Sequence, residues 1–187
     1  MGILRANNNE LSFMSYKIAG LFIILYTFSN YVLGEECYQS ADADTPSKRF
    51  TEKSAGAAVF DTKTGLTWAR CSLGTYWDKK SCQNVPDRMD WYKAHDTILA
   101  LNNQQGGYIG FRDWRLPTLE ELGTLVESKC YGPAINSAIF PNTPHLGFWS
   151  STLDKYSRQG AWLVYFHHGS HYMGNKKYEW AIRPVRK

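Results

Sequence analysis

The feature that most constrains this chain is an apolar segment close to its start, because that segment decides the compartment in which the rest folds. Residues 18–28 (IAGLFIILYTF) follow Met14 and Lys17, and a short segment containing Val32 and Gly34 comes next. A secretory signal peptide typically has a positive residue, then an apolar core, then small residues at positions −3 and −1 before the cleavage site. Lys17, residues 18–28, and Val32 with Gly34 fit these three parts. We therefore predict cleavage after Gly34 and export of the remainder.

A membrane anchor is the alternative interpretation of the same segment. Residues 18–33 number only 16 and include Ser29 and Asn30, whereas a spanning helix needs about 20 apolar residues. An acidic residue rather than a cysteine follows the predicted cleavage site, so a lipoprotein signal does not fit. Because the signal is complete from Met14, the sequence leaves open whether residues 1–13 are translated.

All four cysteines lie after the signal peptide, at Cys37, Cys71, Cys82 and Cys130. An even number of cysteines in an exported chain indicates two disulfides, and four cysteines permit three pairings. Because Cys71 and Cys82 bracket a short loop, we expect them to pair, which leaves Cys37 with Cys130. Zinc binding is the competing use of these residues, but their wide spacing without a CxxC pair argues against it.

The length indicates one domain after the signal. We divide the chain into a leader and signal peptide (1–34, signal proper from 14), an extended lead-in (35–56) and a domain (57–187), which is long enough for a hydrophobic core. A net charge of +4 is too mild to suggest a nucleic-acid partner.

The distribution of charge is uneven. Residues 145–187 carry seven basic and two acidic side chains and four of the five histidines. Such a surface would attract acidic or sulfated glycans. An ordinary solvated surface explains the same residues equally well.

Local patterns predict two hairpin strands and two helices in the first half of the domain. The sequence predicts two strands, Ala57–Phe60 and Leu66–Arg70, joined by a tight turn in which Gly65 can adopt positive φ. Asp90 is a suitable N-cap for a helix extending to about Leu101, and Gly106-Gly107 should follow its end. A second helix should start at a capping box formed by Thr118 and Glu121, and these apolar residues should form the buried faces of the two helices: Trp91, Ala94, Ile98, Leu101, Leu119, Leu122, Leu125 and Val126.

The second half predicts a loop followed by short strands. Residues 132–147 contain three prolines and little periodicity, so they should form a long irregular loop. Strands are expected at 148–151, 161–166, 171–173 and 178–185. Helices followed by short antiparallel strands indicate an α+β fold.

Six segments occur in an order that resembles the Lcl C-terminal domain family. They are DTKTGLTWARC (61–71), GGYIGFRDWRLPTLEEL (106–122), PAINSAIFPNTP (133–144), FWSS (148–151), AWLVYF (161–166) and AIRPVR (181–186). The resemblance covers 57–187, and the block from Asp113 to Thr118 is its most specific part. It implies a bacterial domain with a C-type-lectin-like fold, two short helices, a small antiparallel sheet and long loops. Where roles are proposed for the family, they concern adhesion or glycan binding outside the cell.

The chain departs from its relatives in three ways. It lacks the Gly-X-Y repeat of the collagen-like adhesin that gives the family its name. It also lacks the Glu-Pro-Asn, Gln-Pro-Asp and Trp-Asn-Asp tripeptides of calcium-dependent lectins, so calcium-dependent sugar binding does not carry over. Formylglycine-generating enzymes share the superfamily and a similar Arg-Leu-Pro-Thr block, but they need a reactive cysteine pair near the end of the domain, and no cysteine follows Cys130 here.

Aromatic residues are the first candidates for ligand contact, because a flat aromatic face suits a sugar ring. Trp68, Trp149, Trp162 and Trp180 lie in strand-like contexts and should belong to the core. Trp114 and Leu116 should likewise be buried. Tyr165, Tyr172 and Tyr178 are the better surface candidates.

Basic residues and histidines complete the candidate ligand-binding set, which comprises Lys155, Arg158, His167, His168, His171, Tyr172, Lys176 and Lys177. The three histidines surround a predicted hairpin turn, where a metal site would require their side chains to converge; we expect them instead to be solvated. We expect no cofactor and no metal.

No catalytic motif is recognisable in the sequence, so we expect a non-catalytic binding domain in the periplasm or outside the cell. Its partner is expected to be an acidic or sulfated glycan or a surface protein. The alternative is a structural or accessory protein-interaction module of an envelope assembly.

Overall fold

The structure, a computed structural model, describes residues 36–37 and 43–187. The predicted signal peptide lies outside the described residues. Neither α-helix in the described part of the chain has the length and apolar composition that a membrane span requires. The elements are β1 (Glu36–Cys37), β2 (Phe50–Lys53), β3 (Ala58–Asp61), β4 (Leu66–Ala69), β5 (Tyr76–Trp77), β6 (Cys82–Gln83), α1 (Trp91–Asn103), α2 (Leu119–Gly123), β7 (Cys130–Tyr131), β8 (Gly147–Leu153), β9 (Gly160–Tyr165), β10 (Ser170–Asn175) and β11 (Val185–Arg186).

The strands form two larger antiparallel sheets and two small ones. The larger sheets have the strand orders β11-β4-β3-β2 and β10-β9-β8, and the small sheets are the pairs β1-β7 and β5-β6. Two helices with small antiparallel sheets and long loops confirm the predicted α+β fold. The C-type-lectin-like assignment stays a prediction.

The first hairpin forms as its sequence predicts. β3 pairs with β4, and Gly65 in the turn has a φ of +72°. Strand β2 lies in the segment predicted as an extended lead-in, and it pairs with β3 along its whole length. Only Phe50 of this strand is buried, because β2 is the outer strand of its sheet. The sequence of β2 therefore lacks the apolar pattern by which a strand is predicted.

Both helix starts are confirmed. The Asp90 side chain accepts a hydrogen bond from the Lys93 amide at the start of α1. Thr118 and Glu121 form the predicted capping box at the start of α2. Each helix directs its apolar stripe at the core, where Ala94 and Ile98 of α1 and Leu122 of α2 are buried.

The core lies on both faces of the β8-β9-β10 sheet. Alternate residues of a strand point to opposite faces. Phe148 and Val164 accordingly join one cluster with Trp68 and Leu122, while their neighbours Trp149 and Leu163 join another. The second cluster includes Ile98, Trp114 and Leu116. Burial on both faces explains why the strand sequence AWLVYF is almost continuously apolar.

The predicted strand at 178–185 is wrong. Only Val185–Arg186 forms a strand, and the segment before it makes single bridges to different elements, Trp180 to Met89 and Ala181 to Phe148. A chain that changes partner at each residue cannot continue one ladder. Arg115 likewise makes a single bridge, to Val185, between the buried side chains of Trp114 and Leu116.

The predicted Cys71–Cys82 disulfide is present. It joins the segment that follows β4 to the first residue of β6, so the loop that it closes contains β5. The backbone of Cys37 lies opposite that of Cys130 in the β1-β7 pair. The side chain of Cys37 lies outside the described residues.

Candidate functional site

The hairpin of β9 and β10 carries most of the candidate residues. Its register places Tyr165 opposite Ser170, Leu163 opposite Tyr172 and Ala161 opposite Gly174. Residues opposite one another point to the same face of an antiparallel pair. Leu163, Tyr165 and Tyr172 therefore face one side of the sheet, where Trp180 crosses it.

A groove lies on this side of the hairpin. We call it the aromatic groove, and it is lined by Tyr165, Tyr172, Tyr178 and Trp180 with Leu163 and His168 among its other walls. Its volume is about 350 Å³, which is at the small end of the range for ligand sites. The three tyrosines selected from the sequence thus converge at one place. Trp180, predicted to be a core residue, is half-buried and forms part of the same groove.

Tyr165 holds the groove together. Its ring meets Trp180 edge-on, with ring centres 6.2 Å apart, and Tyr172 edge-on at 6.1 Å. Edge-to-face contacts of this kind stabilise aromatic pairs and fix their orientation. Tyr172 and Tyr178 remain 47% and 61% exposed. Two ring faces are therefore available to a ligand beside a rigid aromatic wall.

His168 gives the groove a polar edge. The Ser170 amide donates a hydrogen bond to Nδ1 of His168 at 3.3 Å, and Nε2 lies 3.4 Å from the Tyr172 hydroxyl. In the neutral ring, acceptance at Nδ1 places the proton on Nε2. Nε2 is then a donor towards Tyr172 and towards any acceptor that enters the groove.

The exposed cations lie at the end of the hairpin that is farther from the β9-β10 turn and from His168. Lys155 and Arg158 belong to the connection between β8 and β9, and Lys177 follows β10. The register pairs Gly160 with Asn175 at this end. The strands therefore separate these cations from the β9-β10 turn by roughly 17 Å. We call Lys155, Arg158 and Lys177 the basic end.

Lys176 departs from the expected surface role. It is only 7% exposed. Its ammonium donates a hydrogen bond to the Arg158 carbonyl at 3.0 Å and lies over the ring of Trp91, 4.8 Å from the ring centre. These contacts hold Lys176 in a structural position, where it is not available to a ligand.

The three histidines of the turn do not converge. His168 belongs to the aromatic groove, whereas His167 contacts Tyr131 through Nε2 at 2.6 Å. His171 lies on the opposite face of β10, against Gly123 of α2. Over residues 43–187, no group of three or more His, Cys, Asp or Glu side chains is placed to hold a metal.

The charged residues of the Asp113–Thr118 block have structural partners. Arg115 donates two hydrogen bonds to the Glu121 carboxylate, each at 2.7 Å, and Asp113 pairs with Arg186 at 2.6 Å. The hydrogen bonds from Arg115 lower the pKa of Glu121 despite its partial burial. This block therefore fastens α2 and β11 and does not form part of the groove.

Comparison with protein families gives one match. Residues 57–186 match the model of the Lcl C-terminal domain. No curated protein matches the chain.

Proposed function

Because this chain belongs to the Lcl C-terminal domain family, we propose that it is an exported bacterial domain that binds carbohydrate without converting it. The aromatic groove carries the proposal. Tyrosine and tryptophan offer a large apolar face together with a polar group, and a sugar ring offers a complementary apolar face edged with hydroxyls. The exposed rings of Tyr172 and Tyr178 supply the stacking faces, and His168 supplies a hydrogen-bond donor.

An acidic or sulfated glycan is the ligand class that this surface suits best. A glycan chain that starts in the aromatic groove and follows the hairpin reaches Lys177, which directly precedes Tyr178, and then the cations of the β8-β9 connection. Lys155, Arg158 and Lys177 are all exposed. Their charges would attract sulfate or carboxylate groups.

The chemistry of the groove supports a binding role without catalysis. Its lining residues include tyrosines and one imidazole but no carboxylate and no cysteine. Hydrolysis of a glycosidic bond ordinarily requires a pair of carboxyl groups on either side of the bond. The groove is therefore suited to holding a sugar and not to cleaving one.

Export is supported by the predicted signal peptide and by the disulfide between Cys71 and Cys82. Disulfides persist in oxidising compartments such as the periplasm and the cell exterior. Localisation of the mature protein in the periplasm or outside the cell accords with a ligand found in an envelope or matrix.

A protein-interaction module of an envelope assembly is the second candidate function. Leu153, Tyr156 and Met173 are large apolar side chains that are more than half exposed. All three lie in or beside the β8-β9 connection and β10. Exposed apolar groups that lie together are typical of protein-binding surfaces.

A glycan array that includes sulfated polysaccharides tests the proposal. The oxidised mature protein should bind sulfated members at low salt and bind them less at physiological salt, because salt screens exposed charges. Replacing Lys155, Arg158 and Lys177 with alanine should remove this binding. Absence of binding at both salt concentrations would reject the carbohydrate proposal and favour the protein-interaction function.

A further inference from the structure

The β8-β9 connection, residues 154–159, presents an aromatic side chain between two cations. Tyr156 is 98% exposed, so the described part of the chain leaves its ring almost uncovered. Lys155 directly precedes Tyr156, Arg158 lies two positions after it, and both are exposed. The connection therefore offers apolar and cationic side chains to solvent at the same place.

Two further apolar side chains lie beside this connection. Leu153 directly precedes it and is 51% exposed, and Met173 of β10 is 56% exposed. A Cβ at Gly160, the first residue of β9, would lie 3.4 Å from Cγ of Met173 and 2.9 Å from Cβ of Asp154. The Met173 side chain therefore lies against both ends of the connection. Exposed apolar groups that lie together in this way mark an interaction surface.

Buried contacts hold the connection in a fixed shape. The carboxylate of the buried Asp154 accepts a hydrogen bond from the Tyr156 amide at 3.0 Å. The buried Lys176 donates from its ammonium to the Arg158 carbonyl at 3.0 Å and from its amide to the Gln159 carbonyl at 2.8 Å. The backbone is thus fixed from beneath while the Tyr156 ring projects into solvent. Because Asp154 is the only acidic residue of the connection, the exposed side chains beside Tyr156 are positive or neutral.

The chemistry of this surface favours one kind of partner. Protein interfaces are depleted of lysine at their core and place their aromatic anchors in pockets. A membrane surface instead takes up exposed aromatic and aliphatic side chains at the level of its headgroups, where lysine and arginine bind anionic lipids. Tyrosine is enriched at this level because its ring is apolar and its hydroxyl is polar. The exposed Tyr156 between Lys155 and Arg158 fits a membrane surface.

We propose that the β8-β9 connection binds peripherally to a bilayer that contains anionic phospholipid. Tyr156 enters the headgroup layer, Leu153 and Met173 lie at its boundary, and the basic end contacts the lipid phosphates. The aromatic groove is not needed for this contact. The proposal therefore stands independently of carbohydrate binding.

Sedimentation of the oxidised mature protein with vesicles tests the proposal. The protein should sediment with vesicles of phosphatidylglycerol and phosphatidylcholine and stay in solution with vesicles of phosphatidylcholine alone, because its cations need anionic headgroups. Tyr156→Ser should weaken the binding about tenfold, because it removes apolar surface that the bilayer would cover. Tyr76→Ser is the matched control, since it removes an exposed tyrosine of the β5-β6 hairpin, and it should bind as the wild type does. The Tyr156 ring is uncovered, so Tyr156→Ser should keep the melting temperature.

Tryptophan fluorescence gives a second readout that ionic attraction alone would not change. Tyr156→Trp places an indole at the exposed position. Its added emission should shift to shorter wavelength when the anionic vesicles are present, because the ring leaves water. Tyr76→Trp should show no such shift.

Absence of sedimentation with the anionic vesicles would overturn the proposal and leave this surface to a protein partner. Equal binding by Tyr156→Ser and the wild type would also overturn it, because the attraction would then be ionic only. Tyr156→Ser should still bind a sulfated oligosaccharide as the wild type does, since it keeps the aromatic groove and the basic end. Failure of membrane binding and failure of carbohydrate binding are therefore distinguishable.

Discussion

The guanidinium of Arg49 donates two hydrogen bonds to the carboxylate of Asp61, at 2.6 and 2.5 Å, and both side chains are buried. Arg49 also donates to the Thr124 carbonyl at the end of α2. Arg49 precedes the family-matched residues 57–186, and Asp61 lies within them. This ion pair therefore makes the upstream segment part of the same folded unit as the family domain.

The Arg49–Asp61 pair predicts how stability depends on pH. Burial opposes ionisation of Asp61, but hydrogen bonds from Arg49, Thr64 and the Lys63 amide outweigh it, so the pKa of Asp61 lies below its usual value. A lowered carboxyl pKa contributes stability above the unfolded-state value, and that contribution is lost as the pH falls below about 4.

Asp61→Asn should lower the free energy of unfolding at pH 7 by about 3 kcal/mol, because it leaves the Arg49 charge buried and unpaired. The difference from the wild type should shrink below pH 4, where the wild-type carboxylate takes up its proton. Urea denaturation across this pH range measures both effects, with the exposed Asp96→Asn as the control. A difference that stays constant with pH would contradict the ionic account.

Truncation tests whether the segment before the family domain is structural. A protein that begins at residue 57 loses β2 and Arg49, and it leaves Asp61 buried without its cation. We expect it to melt at a lower temperature than the mature protein, which begins at Glu35. Equal melting temperatures would show that the family domain alone is the folding unit.

Arg183 is fully buried and connects three segments through hydrogen bonds. Its guanidinium donates to the carbonyls of Ala69 and Arg70 and to the Thr143 hydroxyl, the last at 2.8 Å. It also lies over the ring of Phe140, 4.8 Å from the ring centre. Burial lowers the pKa of Arg183 to about 9. One side chain thus connects the end of β4, the long loop before β8 and the segment before β11.

Arg183→Lys should therefore lower the free energy of unfolding by about 2–3 kcal/mol, because one ammonium cannot reach all the buried acceptors. Arg186→Lys, in the more exposed pair with Asp113, is the matched control and should cost about 1 kcal/mol or less. Denaturant titration of the two variants gives the comparison. Equal effects would mean that the buried acceptors contribute little.

The Cys71–Cys82 disulfide should stabilise the fold by closing a short loop. Replacing both cysteines with serine should lower the free energy of unfolding by about 3 kcal/mol in the chain-entropy estimate. Guanidinium denaturation of this variant and of the wild type measures the difference. Oxidising conditions should keep the predicted Cys37–Cys130 disulfide formed in both proteins, so that only the Cys71–Cys82 bond differs. A variant as stable as the wild type would show that the β5-β6 hairpin is held by its other contacts.

Local sequence patterns were sufficient to predict the helix caps, the first hairpin and the Cys71–Cys82 pair. These features depend on neighbouring residues. Strand β2 was missed because three of its four side chains are exposed. The burial of Lys176 was also missed, since its partners Trp91 and Arg158 come from distant segments.

In the candidate site, too, some features could be predicted from neighbouring residues and others depend on distant ones. Tyr165, Tyr172 and Tyr178 were selected from the sequence as surface candidates for sugar stacking, and the structure brings them together in the aromatic groove. The place of Trp180 in the groove could not be predicted, because the segment before β11 makes its bridges to distant residues. Short-range patterns identified these tyrosines as surface candidates, but long-range packing decides which side chains meet and which are buried.

Titration of the groove variants with a sulfated oligosaccharide tests the central claim most directly. Tyr172→Ala and Tyr178→Ala each remove one exposed stacking face of the aromatic groove, while Tyr76→Ala removes an exposed tyrosine from the β5-β6 hairpin. We predict that each groove variant binds about tenfold or more weakly than the wild type, a loss of about 1.4 kcal/mol, and that Tyr76→Ala binds as the wild type does. Equal affinity of all four proteins would contradict the assignment of the groove as the carbohydrate site.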